Sequence, residues 1–215
     1  MQTLALISQK GGAGKSTLAI HLAVEAAAHG QRTLLLDLDP QGSAVTWADR
    51  RQPGAIDIDA AIEVPARLEA ALKAAQAEGY DQVVIDTAPH SDQAALRAAR
   101  LADFVLVPLR CSILDINAMT ATHELCEMAR RPATVVLNAA PVRSRVVFET
   151  VCAMVALGFT VCGTTIHERV AFRHALIDGR VAREFEPNGR AANEITMLYI
   201  KTCLRVDMQT RKEVA

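Results

Sequence analysis

The sequence predicts an α/β fold, a single domain over 1–215 with a mostly parallel sheet flanked by helices. Short apolar runs alternate with Ala-rich helical segments along the chain. Those runs are near-continuously apolar, as expected of strands that meet water on neither face. No composition break, repeat, low-complexity tract or long linker divides the 215 residues, of which 51% are hydrophobic, enough to bury one sizeable core.

In chain order, the expected strands are TLALIS (3–8), RTLLLDLD (32–39), DQVVIDT (81–87), DFVLVPL (103–109), ATVVLN (133–138) and FTVCGTTI (159–166). Between them, segments 15–29, 64–78, 91–102, 114–130 and 145–157 carry apolar residues at three-to-four spacing and read as amphipathic helices. Gly30 closes the first helix, and a further helix is expected to carry Arg169 and Arg173 on one face.

Composition excludes several classes. The early apolar stretch is interrupted by Lys10 and Lys15, so neither a secretion signal nor a membrane span is expected, and the chain reads as cytoplasmic. Five cysteines at 111, 126, 152, 162 and 203 form no C-x-x-C pair, which argues for reduced thiols rather than a metal site. The net charge is −1, but 1–142 hold 12 basic and 16 acidic side chains whereas 143–215 hold 11 and 8. The C-terminal third is therefore locally basic, a feature shared by solvated faces and nucleic-acid surfaces.

The stretch ISQKGGAGKST (7–17) joins the first strand to the first helix. That context suits a phosphate-binding loop. Gly11, Gly12 and Gly14 let backbone N–H groups approach phosphate oxygens, Lys15 would reach the β- and γ-phosphates, and the Ser16 hydroxyl would ligate Mg²⁺. Lys10 stands where the usual pattern has its first glycine. VVIDTAP ends a strand in Asp86, placed as a carboxylate that holds Mg²⁺ through water, and LLLDLDPQG puts Asp37 and Asp39 at the end of another. Ligands of open α/β sheets bind at the carboxyl ends of the strands, so these three acids converge with the loop on one crevice.

Lys10 to Ser16 match K-G-G-x-G-K-[ST], and the sequence resembles the ParA/MinD family of P-loop ATPases with a deviant Walker A motif. It is most similar to the small plasmid-partition ParA proteins. The resemblance extends through DLDPQGSA (37–44), VVIDTAP (83–89), VLVPLRCSILDINA (105–118) and IHERVAFRHALIDG (166–179). It implies a P-loop NTPase fold, ATP and Mg²⁺ as cofactors, and a nucleotide site built from Lys10, Gly11, Gly12, Ala13, Gly14, Lys15, Ser16 and Thr17. It further implies Lys10, Lys15 and Asp39 as catalytic groups, Asp39 orienting the attacking water, with Ser16, Asp37 and Asp86 at the metal. Lys10 would cross to the nucleotide of a second subunit, so that ATP controls formation of a homodimer. Asp115 matches the switch segment of the family, which usually has a proline before Leu-Asp where this chain has Ser112 and Ile113. Asn138, or else the EPNG loop at 186–189, is the candidate for adenine contact.

The family also implies partners. The chain starts on the P-loop strand, leaving no room for a helix-turn-helix extension, and its tail RVDMQTRKEVA lacks a basic amphipathic pattern, so neither operator-specific repression nor membrane cycling is expected. The expected activity is a partner-stimulated ATPase whose ATP-bound dimer coats nucleoid DNA without sequence preference through Arg169 and Arg173. A ParB-like or small ribbon-helix-helix adaptor would trigger release, segregating plasmid or chromosomal DNA. The alternatives are positioning of a protein cargo and, on the same scaffold, an ATP-dependent metabolic synthetase.

Overall fold

The structure is a computed structural model that describes residues 1–112, 115, 116, 119–131 and 133–213, with side chains through 204. Its strands are β1 (Gln2–Leu6), β2 (Thr33–Asp37), β3 (Asp59–Ile62), β4 (Gln82–Asp86), β5 (Phe104–Arg110), β6 (Ala133–Asn138) and β7 (Thr160–Val161). They form one sheet in the order β3-β2-β4-β1-β5-β6-β7, and each pair is parallel. The helices are α1 (Lys15–Ala28), α2 (Ser43–Ala48), α3 (Leu68–Ala77), α4 (Asp92–Leu101), α5 (Met119–Ala129), α6 (Arg145–Ala156), α7 (Val170–Ile177), α8 (Ala182–Phe185) and α9 (Arg190–Glu213).

The period of two along each strand divides the core. Leu4, Leu6, Leu35 and Val84 face α1, α2, α7, α8 and α9. Ala5, Ile7, Val83 and Ile85 face the opposite way, against α3, α4, α5 and α6. Both faces are covered, so the central strands are apolar at nearly every position, each fully buried Leu, Ile or Val contributing about 1.5–3 kcal/mol. Pro108 is tolerated within β5 because β1 pairs with β5 only as far as Leu106. Ile7 N–H donates to Leu106 O at 3.0 Å; two residues on, the N–H that proline lacks would face the gap where β1 has turned away.

Two elements escape the apolar pattern. Edge strand β3 (DAAI) pairs with Leu34–Asp37 on one side only and is mostly exposed. The run expected at 159–166 forms only two residues of β7. Beyond it the backbone follows β6 as a loop, Cys162 N–H donating to Val135 O and Ile166 N–H to Leu137 O. Among the described residues no helix is long and apolar enough to cross a membrane. Cys126 and Cys162 pack into the core.

α1 is fixed from behind by a buried imidazole. Ala182 N–H donates to His21 Nε2 at 3.1 Å, so Nδ1 carries the proton and donates to Thr17 O at 2.7 Å. Burial pushes the His21 pKa down to about 4, keeping the ring neutral. Glu25, also buried, accepts from Arg183 Nε at 2.7 Å, a second tie between α1 and α8.

Candidate nucleotide site

Strand register brings the carboxylates together before any side chain is considered. Asp37 is the Cα partner of Asp86 across β2 and β4, and Leu6, the last residue of β1, is the partner of Asp86 on its other side. The chain leaving β1 must then turn into α1 directly beside two acids. Thr87 Oγ1 donates to Leu6 O at 2.7 Å, fastening the two strand ends.

The turn is made by glycine. Gly12 (φ 78°) and Gly14 (φ 93°) both occupy the left-handed region, which β-carbons disfavour. Gly14 is the N-cap of α1 and offers no side-chain cap, so the first-turn N–H groups remain available to an anion. A β-carbon on Gly14 would lie 2.1 Å from Asn138 Nδ2. That approach has a purpose: Asn138 Nδ2 donates to Ala13 O at 2.8 Å, tying the crest of the loop to the end of β6.

Lys15 is buried, its Nζ donating to Ser8 O at 3.1 Å. Burial lowers its pKa, against the attraction of Asp86 and Asp39. Asp86 is fully buried, and neither carboxylate oxygen has a hydrogen-bond partner. Burial pushes its pKa up to about 7, with Asp37 adding to the rise; the Ser16 hydroxyl, near but not in hydrogen-bond geometry, and Lys15 oppose it. An orphaned buried carboxylate is costly, and a cation is the partner that removes the cost. Ser16 and Asp86 therefore fit a divalent, oxygen-seeking ion such as Mg²⁺.

Asp37 differs from Asp86 in this respect. Its oxygens accept from Asp39 N–H and Ala44 N–H, both at 2.9 Å, so it shapes the turn into α2 and holds Asp39 in place. Burial raises the Asp37 pKa against those two donors. Asp39 is half-buried and accepts from Gln41 N–H at 2.9 Å. Lys10, likewise half-buried, makes an ion pair with Asp115 Oδ1 at 2.5 Å; Ser112 donates to Asp115 Oδ2 at 2.7 Å. Ile113, Leu114, Asn117 and Ala118 of the switch segment lie outside the described residues.

Beside the loop is a cavity of about 180 Å³, walled by Gly12, Gly14, Thr17 and Asn138 on one side and by residues 166–169, Phe172 and Arg173 on the other. The EPNG loop at 186–189 takes no part in it. The sequence led to the expectation that Arg169 and Arg173 share one helix face, and the structure corrects this: α7 begins at Val170, so Arg169 is its N-cap in extended geometry (φ −135°, ψ 140°). Its guanidinium is held by Glu194. Arg173 is largely exposed, 3.9 Å from Glu168.

A family model for the CobQ/CobB/MinD/ParA nucleotide binding domain matches residues 4–180. The chain belongs to that family. It is 33% identical over 210 residues to maintenance of carboxysome distribution protein A of Halothiobacillus neapolitanus, an alignment covering 91% of this chain and 94% of that protein. It is 32% identical over 170 residues to the chromosome partitioning protein ParA of Caulobacter vibrioides, covering 60% and 64%. The solved ATP complex of a McdA variant from Cyanothece superposes with a TM-score of 0.77 over 94% of this chain and 96% of that one, at 18% identity. The CobQ/CobB/MinD/ParA assignment accounts for the position of the loop at the carboxyl edge of the parallel sheet. The loop was legible in its glycine spacing. The wall at 166–169 was not, because its partner Glu194 lies 25 residues beyond Arg169 and the pair leaves no local pattern.

Proposed function

We propose that this chain is a positioning ATPase of the deviant Walker A type, in which Mg-ATP drives formation of a homodimer and hydrolysis reverses it. The observation that carries the reading is the uncapped α1 N-terminus behind Gly12 and Gly14, with buried Lys15 beside a partnerless buried Asp86. The first-turn N–H groups and Lys15 receive the β- and γ-phosphates, and the cavity beside Asn138 receives the nucleoside. Ser16 and Asp86, with Asp37 behind them, would hold a Mg²⁺, which would supply positive charge against the phosphates. Asp39, fixed through its N–H by Asp37, orients the attacking water.

Lys10 bridges to the nucleotide of a second copy. In a single chain it is held by Asp115, so dimerisation exchanges an internal carboxylate for a triphosphate across the interface. ATP is the ligand that favours the dimer because only a γ-phosphate supplies that charge.

For cargo, the similarity along 91% of the chain to a carboxysome distribution protein favours positioning of a protein assembly over DNA segregation, for which the ParA relative aligns over 60%. In both readings the ATP-bound dimer sits on nucleoid DNA and a ParB-like or ribbon-helix-helix adaptor stimulates turnover. Arg169 is tied to Glu194, so the contact with DNA phosphates falls to Arg173, whose guanidinium is exposed. Phosphate release tests the reading: the wild-type chain turns ATP over slowly, and Asp39→Ala retains ATP binding with turnover reduced at least about a hundredfold. Unchanged turnover in Asp39→Ala would remove the assigned role.

A further inference from the structure

The nucleoside side of the cavity is loop backbone, and its shape depends on what holds that loop. On one side it docks to the end of β6: Ala140 N–H donates to Ile166 O, and Glu168 N–H to Ala140 O, both at 3.0 Å. On the other it is held by one carboxylate from α9. Glu194 Oε2 accepts from His167 N–H at 3.1 Å. Its Oε1 accepts from His167 Nδ1 at 2.8 Å and from Arg169 Nε at 3.0 Å and Nη2 at 2.5 Å. Burial alone would raise the Glu194 pKa, but Arg169 and the two His167 donors outweigh it and hold the carboxyl below its usual range.

All four donors belong to His167 and Arg169, and both residues line the cavity opposite Gly12 and Gly14. The cavity lies beside the loop rather than over the α1 N-terminus, where the phosphates already have their place, and so is left to the nucleoside. We propose that Glu194 is a positioning residue for nucleotide binding: from the C-terminal helix it fixes residues 167–169 as the wall against which the nucleoside is seated. It touches no phosphate and no reacting atom. Its influence is therefore confined to affinity for the nucleoside moiety, and by linkage the bound nucleoside steadies the start of α9. This rests on the nucleotide reading given above, and the test separates the two.

Calorimetry with two probes, ATP and inorganic tripolyphosphate in Mg²⁺, makes the separation, because tripolyphosphate engages only the loop, Lys15 and the metal. In Glu194→Gln the amide NH₂ meets Arg169 and loses its acceptance, so ATP affinity should fall roughly tenfold, about 1.4 kcal/mol, while tripolyphosphate affinity stays within about twofold. In turnover, KM for ATP should rise by the same factor with kcat nearly unchanged. Glu194→Asp keeps the charge but withdraws it, and should give an intermediate loss, which keeps the test available if the glutamine variant folds poorly. Equal loss of both ligands would reduce Glu194 to a general structural tie and overturn the proposal, as would ATP affinity unchanged or tighter in both variants. Failure of the wild-type chain to bind either probe would instead overturn the nucleotide reading itself.

Discussion

The phosphate side and the nucleoside side of the site are built by different means. Residues 8–17 make the phosphate side almost alone: a strand end, two left-handed glycines, a buried lysine and a helix N-terminus, completed by Asp86 one register position away. The nucleoside side is assembled from distant segments, with Asn138 reaching back 125 residues to Ala13 and Glu194 reaching 25 and 27 residues to Arg169 and His167. The first side is a local consequence of chain geometry and tolerates little variation. The second depends on contacts between residues far apart in the chain, so a change in either member loosens the wall without touching the phosphate loop.

The largest effect should come from the phosphate side. Lys15→Ala removes the buried cation aimed at two phosphates, and charge-assisted contacts of about 1.5–3 kcal/mol each imply a loss of at least about a hundredfold in ATP affinity, read by calorimetry. Equal affinity for the variant and the wild type would remove the loop from the site.

Asp86→Asn should act in the opposite direction on the nucleotide-free chain. With a folded pKa of about 7 against an unfolded value near 3.8, the native state keeps a proton that the unfolded state releases, so stability falls as pH rises through that window. At pH 8 the native carboxylate is ionised without a partner, and asparagine should stabilise the apo protein by about 1–3 kcal/mol, less than the full shift because Lys15 loses a counter-charge. The gain should shrink below pH 7 and vanish near pH 4. Thermal melting across that series measures it; a gain that grows toward low pH would contradict the assignment. The same variant should lose the Mg²⁺ dependence of ATP binding.

A smaller effect is expected where the two sides meet. Asn138→Ala frees Ala13 O and removes the strut behind Gly14, costing roughly 1 kcal/mol and weakening ATP and tripolyphosphate alike by about fivefold. That contrasts with the ligand-selective loss at Glu194, and a loss confined to ATP would show that Asn138 serves the nucleoside without supporting the phosphate loop. Smallest is Arg173→Ala, which should lower the salt slope of duplex binding by about one unit per subunit in anisotropy across a salt series at saturating ATP.

These contrasts also explain how much the sequence disclosed. β1, β2, β4, β5 and β6 and the helices α1, α3, α4, α5 and α6 were legible because burial on both faces makes apolar runs continuous and helix faces periodic, whereas the short α2 carried no such period. β3 was not, since an edge strand exposed on most positions carries no such run. α9 buries Ala191, Ala192, Ile195, Leu198 and Tyr199 at helical spacing, a stripe that an expectation drawn from its charged tail passed over. Gly12, Gly14, Lys15 and Asp86 announce themselves by residue type and place. Arg169 does not: four residues before Arg173 it suggested a shared face, whereas its extended backbone and its bonds to Glu194 turn it toward the cavity.

In the proposed function the carboxyl edge of the sheet binds Mg-ATP as half of a two-chain site, with Lys10 supplied across the interface. Sedimentation velocity of the wild type and Lys10→Ala, each saturated with a non-hydrolysable ATP analogue or with ADP, tests it most directly. The wild type should be a dimer with the analogue and a monomer with ADP, and the Lys10→Ala chain should bind the analogue yet remain monomeric. A Lys10→Ala dimer of wild-type strength, or a wild-type monomer at saturating analogue, would contradict it.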